Sequence, residues 1–446
     1  MKINVLGTGY VGLVSGVCLA AEGHQVKCFD TNIETINTLN KGKCHFYENG
    51  LENLLAEFNS NITFRLLDLS SKSELIDSDV ILIAVGTPTI DDKIHLGQIE
   101  TACKTIGSLI KNSDKFISVI IKSTVVPGTT DTFVKNILES TSGKLIGDFG
   151  LGMNPEFLRE GNAVQDFMNP DRIVFGFEDE KTLDILKEMY KPWNTDKVEV
   201  NTRSAEMIKY VNNSLLATQI STINEYSNIA RAIGNINFNK VMKGVHLDHR
   251  WSPIINNSRV RPQIIDYLLP GVGFGGSCFP KDVKAISALA KKKGVNPIIL
   301  DSVIKVNHNQ PKQIINFLKN KVGNLNNKNI LLLGLSFKPE TDDVRESVSI
   351  KLIENLSNES CNISVHDPIS TKNAKKAINV KSKVYFLKNW RDKLIENDII
   401  IIATNWKEYK DLNKYDDILE NKFLLDTRSL LNKNDFKKTN YLNINN

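Results

Sequence analysis

Gly271 to Asp282 reads G-V-G-F-G-G-S-C-F-P-K-D, the densest stretch of potential chemistry in the 446 residues. Four glycines in six positions let the backbone approach a ligand closely and adopt φ > 0. Cys278 follows, with Lys281 and Asp282 three and four residues later. A thiol near a cation loses its proton more readily and becomes a nucleophile. A lone cysteine is more often a small buried hydrophobe, so this reading depends on what accompanies it. Lys209 and Asn213 are i,i+4 neighbours and project from one face of a helix, although a solvated pair is the default explanation. Glu156 and Glu160, in N-P-E-F-L-R-E-G, are also four apart. They could share one side of a helical turn, where acid–base work competes with simple solvation.

Positioning these residues requires an α/β frame. Ile3 to Leu6 is a short apolar strand running into Gly7-Thr-Gly9-Tyr10-Val11-Gly12, then a helical segment to Glu22, with Gly23 to end it. Gln25 to Phe29 forms the next strand and closes on Asp30. Strand, glycine turn, helix, strand and acid in register make the dinucleotide fingerprint, with the pyrophosphate on the helix N-terminus. Asp30 can accept from both ribose hydroxyls and would repel a 2′-phosphate, which favours NAD over NADP. Val80 to Val85 and Phe116 to Ile121 read as buried parallel strands, and their ends place Thr87 and Thr124 where doubly wound sheets bind ligands. Capping of the following helices is the alternative for each threonine. Ile173 to Gly176 is a further strand.

From Ser204 to Ala232 one long helix is expected, with Ile208, Val211, Leu215 and Ile223 as its apolar stripe. A helix this long and apolar is expected to bury surface against a second subunit as well. Residues 245–262 read as an irregular basic loop. After an Asn-rich linker near 323–328 a second α/β unit begins with the strand Asn329 to Leu333, followed by strands at Ser364 to His366, Asp398 to Ala403 and, last, Leu424 to Arg428. The expected fold is α/β: two Rossmann-like doubly wound domains, 1–200 and 323–446, joined by a central long-helix segment, 201–322, that carries the cysteine loop near a central cleft.

The totals fit a globular protein of two or three domains. The net charge of +5 comes from lysines interspersed with acids, so no basic face for nucleic acid stands out. Six cysteines, at 18, 28, 44, 103, 278 and 361, show no C-x-x-C or metal spacing, which suits reduced thiols in the cytoplasm and no metal. The chain enters a strand at once, without the pattern of a signal peptide, and no run of about 18 apolar residues predicts a membrane span.

Taken together, G-T-G-Y-V-G, N-P-E-F-L-R-E-G, P-D-R, G-F-G-G-S-C-F-P-K-D and G-L-S-F-K-P-E-T-D-D-V-R-E-S, in this order, resemble the UDP-glucose/GDP-mannose dehydrogenase family over nearly the whole length. The resemblance implies oxidation of the C6 alcohol of a nucleotide sugar to a carboxylate, with two NAD per turnover and no metal. It implies Cys278 as the nucleophile that captures the C6 aldehyde as a thiohemiacetal, then a thioester. Lys209 and Asn213 match the donors that stabilise oxyanions at C6, and Asp282 with Thr124 matches the holders of the water. Glu156 is similar to an acid–base glutamate and Glu160 to one near the cofactor. Gly7, Gly9, Tyr10, Val11, Gly12, Asp30, Thr87, Thr124 and Arg345 match the NAD side. Phe157, Leu158, Phe274, Gly275, Lys338 and Arg428 match groups that hold the nucleotide sugar, along with Glu156, Lys209 and Asn213.

One segment departs from the family pattern. Arg259-Val-Arg261-Pro262 lies farther ahead of G-F-G-G than usual. The R-V-x-P match favours Arg259 over Arg261 as a substrate contact. The form S-C-F-P-K-D resembles the branch acting on UDP-glucose more than those acting on UDP-N-acetylmannosamine or GDP-mannose. A homodimer or larger homo-oligomer is expected. The competing readings are a sibling specificity on another UDP- or GDP-hexose, a non-catalytic regulator that binds NAD and a nucleotide sugar, and a two-electron hydroxyacid dehydrogenase needing no thiol.

Overall fold

The computed structural model describes residues 1–445 except 69, 91, 92 and 381, with the backbone alone at 72, 90 and 93. The chain divides into two compact units, Met1–Asn212 and Asn213–Asn446, and the boundary falls inside the helix Thr202–Ile233.

Among the described residues, the first unit is built on an eight-stranded sheet. Its strands lie in the order Asp196–Asn201, Arg172–Phe177, Gly150–Met153, Ser118–Ile121, Val80–Ile83, Lys2–Leu6, Gln25–Asp30, Ile62–Leu66. Every pairing is parallel except that of Gly150–Met153 with Arg172–Phe177. Val80, Ile81, Leu82 and Ile83 are all fully buried, the continuous apolar run expected of a strand covered on both faces. Alternate residues feed opposite cores, with Ile3, Val5 and Leu82 on one side and Leu6, Ile81 and Ile83 on the other. Strand order reverses between Lys2–Leu6 and Val80–Ile83, so the carboxyl ends of those strands flank the crevice of a doubly wound sheet.

Among the described residues, the second unit carries a six-stranded parallel sheet in the order Val384–Phe386, Asn362–His366, Asn329–Leu333, Ile399–Ile402, Phe423–Asp426, Asn440–Asn443. The run Ile399-Ile-Ile-Ile402 is completely buried. The last strand, Asn440–Asn443, lies beyond the expected end at Leu424 to Arg428. Its alternating polar residues gave it no apolar run to be read by.

The long helix differs from its sequence pattern. Ile223 is buried, but Val211 and Leu215 are exposed, in line with Met207, Tyr226, Ile229 and Ile233. The buried face mixes the polar residues Glu206, Lys209, Asn213, Ser221, Asn224 and Ser227 with Ala205, Tyr210, Ala217 and Ala230. Residues 245–262 also hold more structure than expected. Ile254–Ile255 and Ser258–Arg259 pair as a hairpin around Asn256 and Asn257, both at positive φ, which asparagine tolerates. Glu156 and Glu160 do not share a helical turn. The Glu156 carboxylate accepts the N–H of Leu158 and Asp166 accepts that of Arg159, so side chains take the donors a helix would use.

Candidate active site

The glycine turn of the first unit shows which of its residues are fixed by packing. Gly7 has φ +93°, a region costly for a side chain, and a Cβ there would lie 2.8 Å from the carbonyl oxygen of Ala84. A Cβ on Gly12 would lie 1.9 Å from the Gly7 oxygen, so the helix Tyr10–Ala21 can sit on the turn only with glycine there. Gly9 meets nothing within 4 Å. Packing does not require it, and it leaves a bare backbone at the helix start where a pyrophosphate would approach. The half-exposed Asp30 is held in place, with Oδ2 accepting the Thr8 N–H and hydroxyl at 2.8 and 2.7 Å and Oδ1 the N–H of Asn32. These features fit NAD.

The neighbouring expected residues fall into pairs. The Thr87 hydroxyl donates to the Thr124 carbonyl at 2.9 Å, joining two adjacent strand ends, and neither threonine caps a helix. The Tyr10 hydroxyl bonds Glu48, a buried carboxylate that sequence reading missed. Glu48 also accepts the N–H groups of Gly161 and Ala163 at 2.7 and 2.8 Å and so ties the nucleotide turn to the segment after Glu160. Burial raises the Tyr10 hydroxyl well above its ordinary value, with Glu48 and Glu160 adding to the shift, so it is a donor at neutral pH.

Glu156 and Lys209 form a buried ion pair, Nζ to Oε1 2.8 Å, with side chains 5% and 4% exposed. Burial would raise the Glu156 carboxyl. The Lys209 ammonium, with the Leu158 N–H and Lys122, outweighs it and holds the group below its ordinary value. The ring of Phe157 lies under the Arg172 guanidinium at 3.7 Å and 5.5 Å from Lys209 Nζ.

In the second unit, Cys278 caps the helix Phe279–Lys292, and its Sγ lies 3.5 Å from the Ser277 hydroxyl. One turn on, the N–H of Asp282 donates to the Cys278 carbonyl. Asp282 is fully buried and accepts from Asn213 Nδ2 and Lys281 Nζ, both at 2.7 Å. Asn213 and Asp282, expected separately in the sequence, thus meet directly. Among the other thiols, Cys18, Cys28, Cys103 and Cys361 are buried, and burial pushes Cys103 up to about 12 and Cys361 up to about 11. Half-buried Cys44 is likewise pushed up to about 12, by burial first and then by Glu52.

Three amides that sequence reading missed hold the glycine loop. Asn307 accepts the Phe274 N–H at 2.8 Å and donates to its carbonyl at 2.9 Å. Gln310 donates to the Gly271 carbonyl, and Asn224 accepts the Gly271 N–H, each at 2.8 Å. Gly275 is required by close approach, since a Cβ would lie 2.4 Å from the Glu346 oxygen. The Gly276 N–H reaches the Arg345 carbonyl, and the Arg345 guanidinium pairs with Asp343. Lys338 Nζ lies over Phe337, whose ring packs on Gly276. Arg428 donates from Nε to Ala403 and sets Nη1 beside Gly271, with burial lowering it to about 10. Arg259 Nη1 donates to the carbonyls of Leu247 and Ser252, and Arg261 pairs with Asp266, so each arginine also holds its own loop. Among the described residues, no group of three or more His, Cys, Asp or Glu could hold a metal.

Comparison with known proteins matches the chain along its length. Residues 1–194 match the NAD binding domain of the UDP-glucose/GDP-mannose dehydrogenase family, 203–309 its central domain and 331–433 its UDP binding domain. The chain is 38% identical to UDP-glucose 6-dehydrogenase YwqF of Bacillus subtilis, covering 96% of this chain and 93% of that one. It is 34% identical to UDP-glucose 6-dehydrogenase AglM of Haloferax volcanii, covering 97% and 98%. Among solved structures, the UDP-glucose dehydrogenase of Pyrobaculum islandicum superimposes with a TM-score of 0.88 at 33% identity, covering 99% of this chain and 97% of that one. The ordered motifs, the two doubly wound sheets and these matches agree, and the chain belongs to the UDP-glucose/GDP-mannose dehydrogenase family.

Proposed function

We propose that the protein oxidises the C6 alcohol of UDP-glucose to the carboxylate of UDP-glucuronate in the cytosol. The observation that carries this reading is the cysteine turn, where Cys278 opens a helix whose first turn holds a fully buried Asp282 on Asn213. NAD, when bound, accepts a hydride, and the full oxidation needs two such transfers. Gly7, Gly9, Gly12 and Asp30 are assigned to binding it. Glu156 is assigned the proton of the C6 alcohol, and Lys209 and Asn213 the stabilisation of negative charge on the C6 oxygen. The Cys278 thiolate adds to the aldehyde carbon, and the hemiacetal so formed carries the second hydride to be lost. The resulting thioester is hydrolysed by a water assigned to Asp282 and Thr124, which releases the carboxylate and restores the thiol.

Absorbance at 340 nm tests the stoichiometry: two NADH per UDP-glucose are expected, and one would refute the four-electron reading. Cys278→Ser should lose turnover by about a thousandfold or more while binding both substrates, because an alkoxide is far less available than a thiolate. Initial rates on a panel of UDP- and GDP-hexoses test the sugar.

The exposed apolar line Met207, Val211, Leu215, Tyr226, Ile229 and Ile233, each over 40% exposed, supports a homodimer that buries this side of the long helix. Leu215→Glu should then yield monomers in sedimentation, and an unchanged oligomer would remove the helix from the interface.

A further inference from the structure

No step of the proposed reaction uses Lys122, although its side chain is only 4% exposed. It follows the strand Ser118–Ile121, and its Nζ donates to Asn154 Oδ1 at 2.6 Å and Tyr190 Oη at 3.2 Å, over the rings of Phe167 and Tyr190. Both acceptors are neutral. Lys209 is paired with Glu156, whereas among the described residues the hydrogen bonds of the Lys122 ammonium go to an amide and a phenol. Such burial is costly and favours the neutral amine. Burial pulls Lys122 down to about 7, with Glu156 opposing the shift and Lys209 adding to it. A methionine would fill this volume without that cost, so the charge itself calls for a role.

Asn154 is the link. Its N–H goes to the Ile121 carbonyl and its Nδ2 to the Val174 carbonyl, both at 2.9 Å, and its Oδ1 receives Tyr190 Oη at 2.5 Å as well as Lys122. Two residues on, past Pro155, stands Glu156. We propose that Lys122 is a positioning residue for Glu156: its ammonium fixes Asn154, and with it the turn that presents the carboxylate to Lys209, while its charge favours the ionised carboxylate. This rests on the acid–base role proposed for Glu156.

The charged and titratable groups around this cluster are Glu156 itself, Lys209 on the long helix, Tyr190 after the helix Glu180–Met189, and Arg172 with Asp171 beside Phe157. Cys18, on the helix Tyr10–Ala21, faces Tyr190 and is kept a neutral thiol by burial. The sign follows. Below about pH 7 Lys122 is charged and lowers the Glu156 carboxyl. Above that its charge and its effect fade together. Loss of the charge therefore matters in acid and fades in alkali, which a purely structural defect would not do.

The test is the pH dependence of kcat for the full chain. In Lys122→Gln, which can still donate to Asn154 but carries no charge, the acid limb should move up by about one pH unit, giving roughly tenfold lower kcat on that limb and convergence with the parent above about pH 8. Lys122→Met, which can neither donate nor carry charge, should show the same displaced limb with a further loss at every pH from the released Asn154. Tyr190→Phe keeps the charge and should keep the parent's limb. Glu156→Gln separates the two readings. An acid limb that persists in it overturns the Glu156 assignment and this proposal with it. A limb lost in Glu156→Gln but unmoved in the Lys122 variants overturns the proposal alone, as does one constant loss across the pH range.

Discussion

The two parallel sheets invite a comparison within one chain. Each opens on a buried strand ending in a left-handed glycine, Gly7 at φ +93° and Gly334 at φ +94°. The glycine N–H of each reaches the second strand, at Phe29 and at His366, over 2.8 Å. The residues just after each glycine donate to the acid at the end of that strand, Asp30 as its last residue or Asp367 just beyond it. There the likeness ends. The helix of the first unit starts at Tyr10, while the second unit runs on to Val348 before one begins. Asp30 is half-exposed and takes three donors. Asp367 is 4% exposed and takes six: Leu335 N–H, Ser336 N–H and hydroxyl, the Trp406 indole, and the N–H groups of Ile369 and Ser370. Six donors saturate a carboxylate with about four lone-pair sites. One frame thus serves two ends: the open acid can receive a ribose, and the saturated acid holds a loop.

The sharpest way to break this comparison is at the glycines. Gly12→Ala would force the helix off its turn, and kcat/KM for NAD should fall about a hundredfold or more, read from initial rates. Gly334→Ala places a methyl 2.4 Å from Thr404. It should lower the melting temperature yet leave the Kd for NAD within about twofold, since no helix starts directly after the Gly334 turn to receive a pyrophosphate.

The acids give a smaller and opposite pair of effects. Asp30→Asn should weaken NAD about tenfold and narrow its preference over NADP, with little change in Tm. Asp367→Asn should cost about 2–4 kcal/mol of stability in denaturant titrations, because a buried acceptor set loses its charge, and should leave NAD affinity alone. Equal effects of the two substitutions on NAD binding would end the comparison.

The smallest expected effect concerns a buried acid with fewer donors. Glu206 accepts the N–H groups of Gly128 and Thr130 at 2.6 and 2.7 Å, and burial pushes it up to about 7 despite them. Its folded value lies above its unfolded one, so the folded state binds the proton more tightly. Stability is then present in acid and is lost as pH rises from the unfolded value toward about 7. Denaturant titrations between pH 5 and 8 should show a loss of about 2 kcal/mol that Glu206→Gln flattens. A slope unchanged in that variant would assign it to other groups.

Much of this architecture was legible in the residues. Apolar runs such as Val80–Ile83 become buried parallel strands because nothing else buries four consecutive large side chains so cheaply. The glycine turns and the Cys278-to-Asp282 spacing are local, and local geometry follows from residue type. What the sequence alone could not decide was which way a face points and which distant polar groups meet. The long helix carries polar residues inward among its buried apolar ones and an apolar line outward, so its stripe was misread at Val211 and Leu215. Glu48 meets Gly161 across 113 residues, Asn307 meets Phe274 across 33, and Lys122 meets Asn154 across 32. Each is a single polar residue in no local pattern. Its burial became affordable only once the fold had brought a hydrogen-bonding partner to it, and that is a property of the tertiary structure.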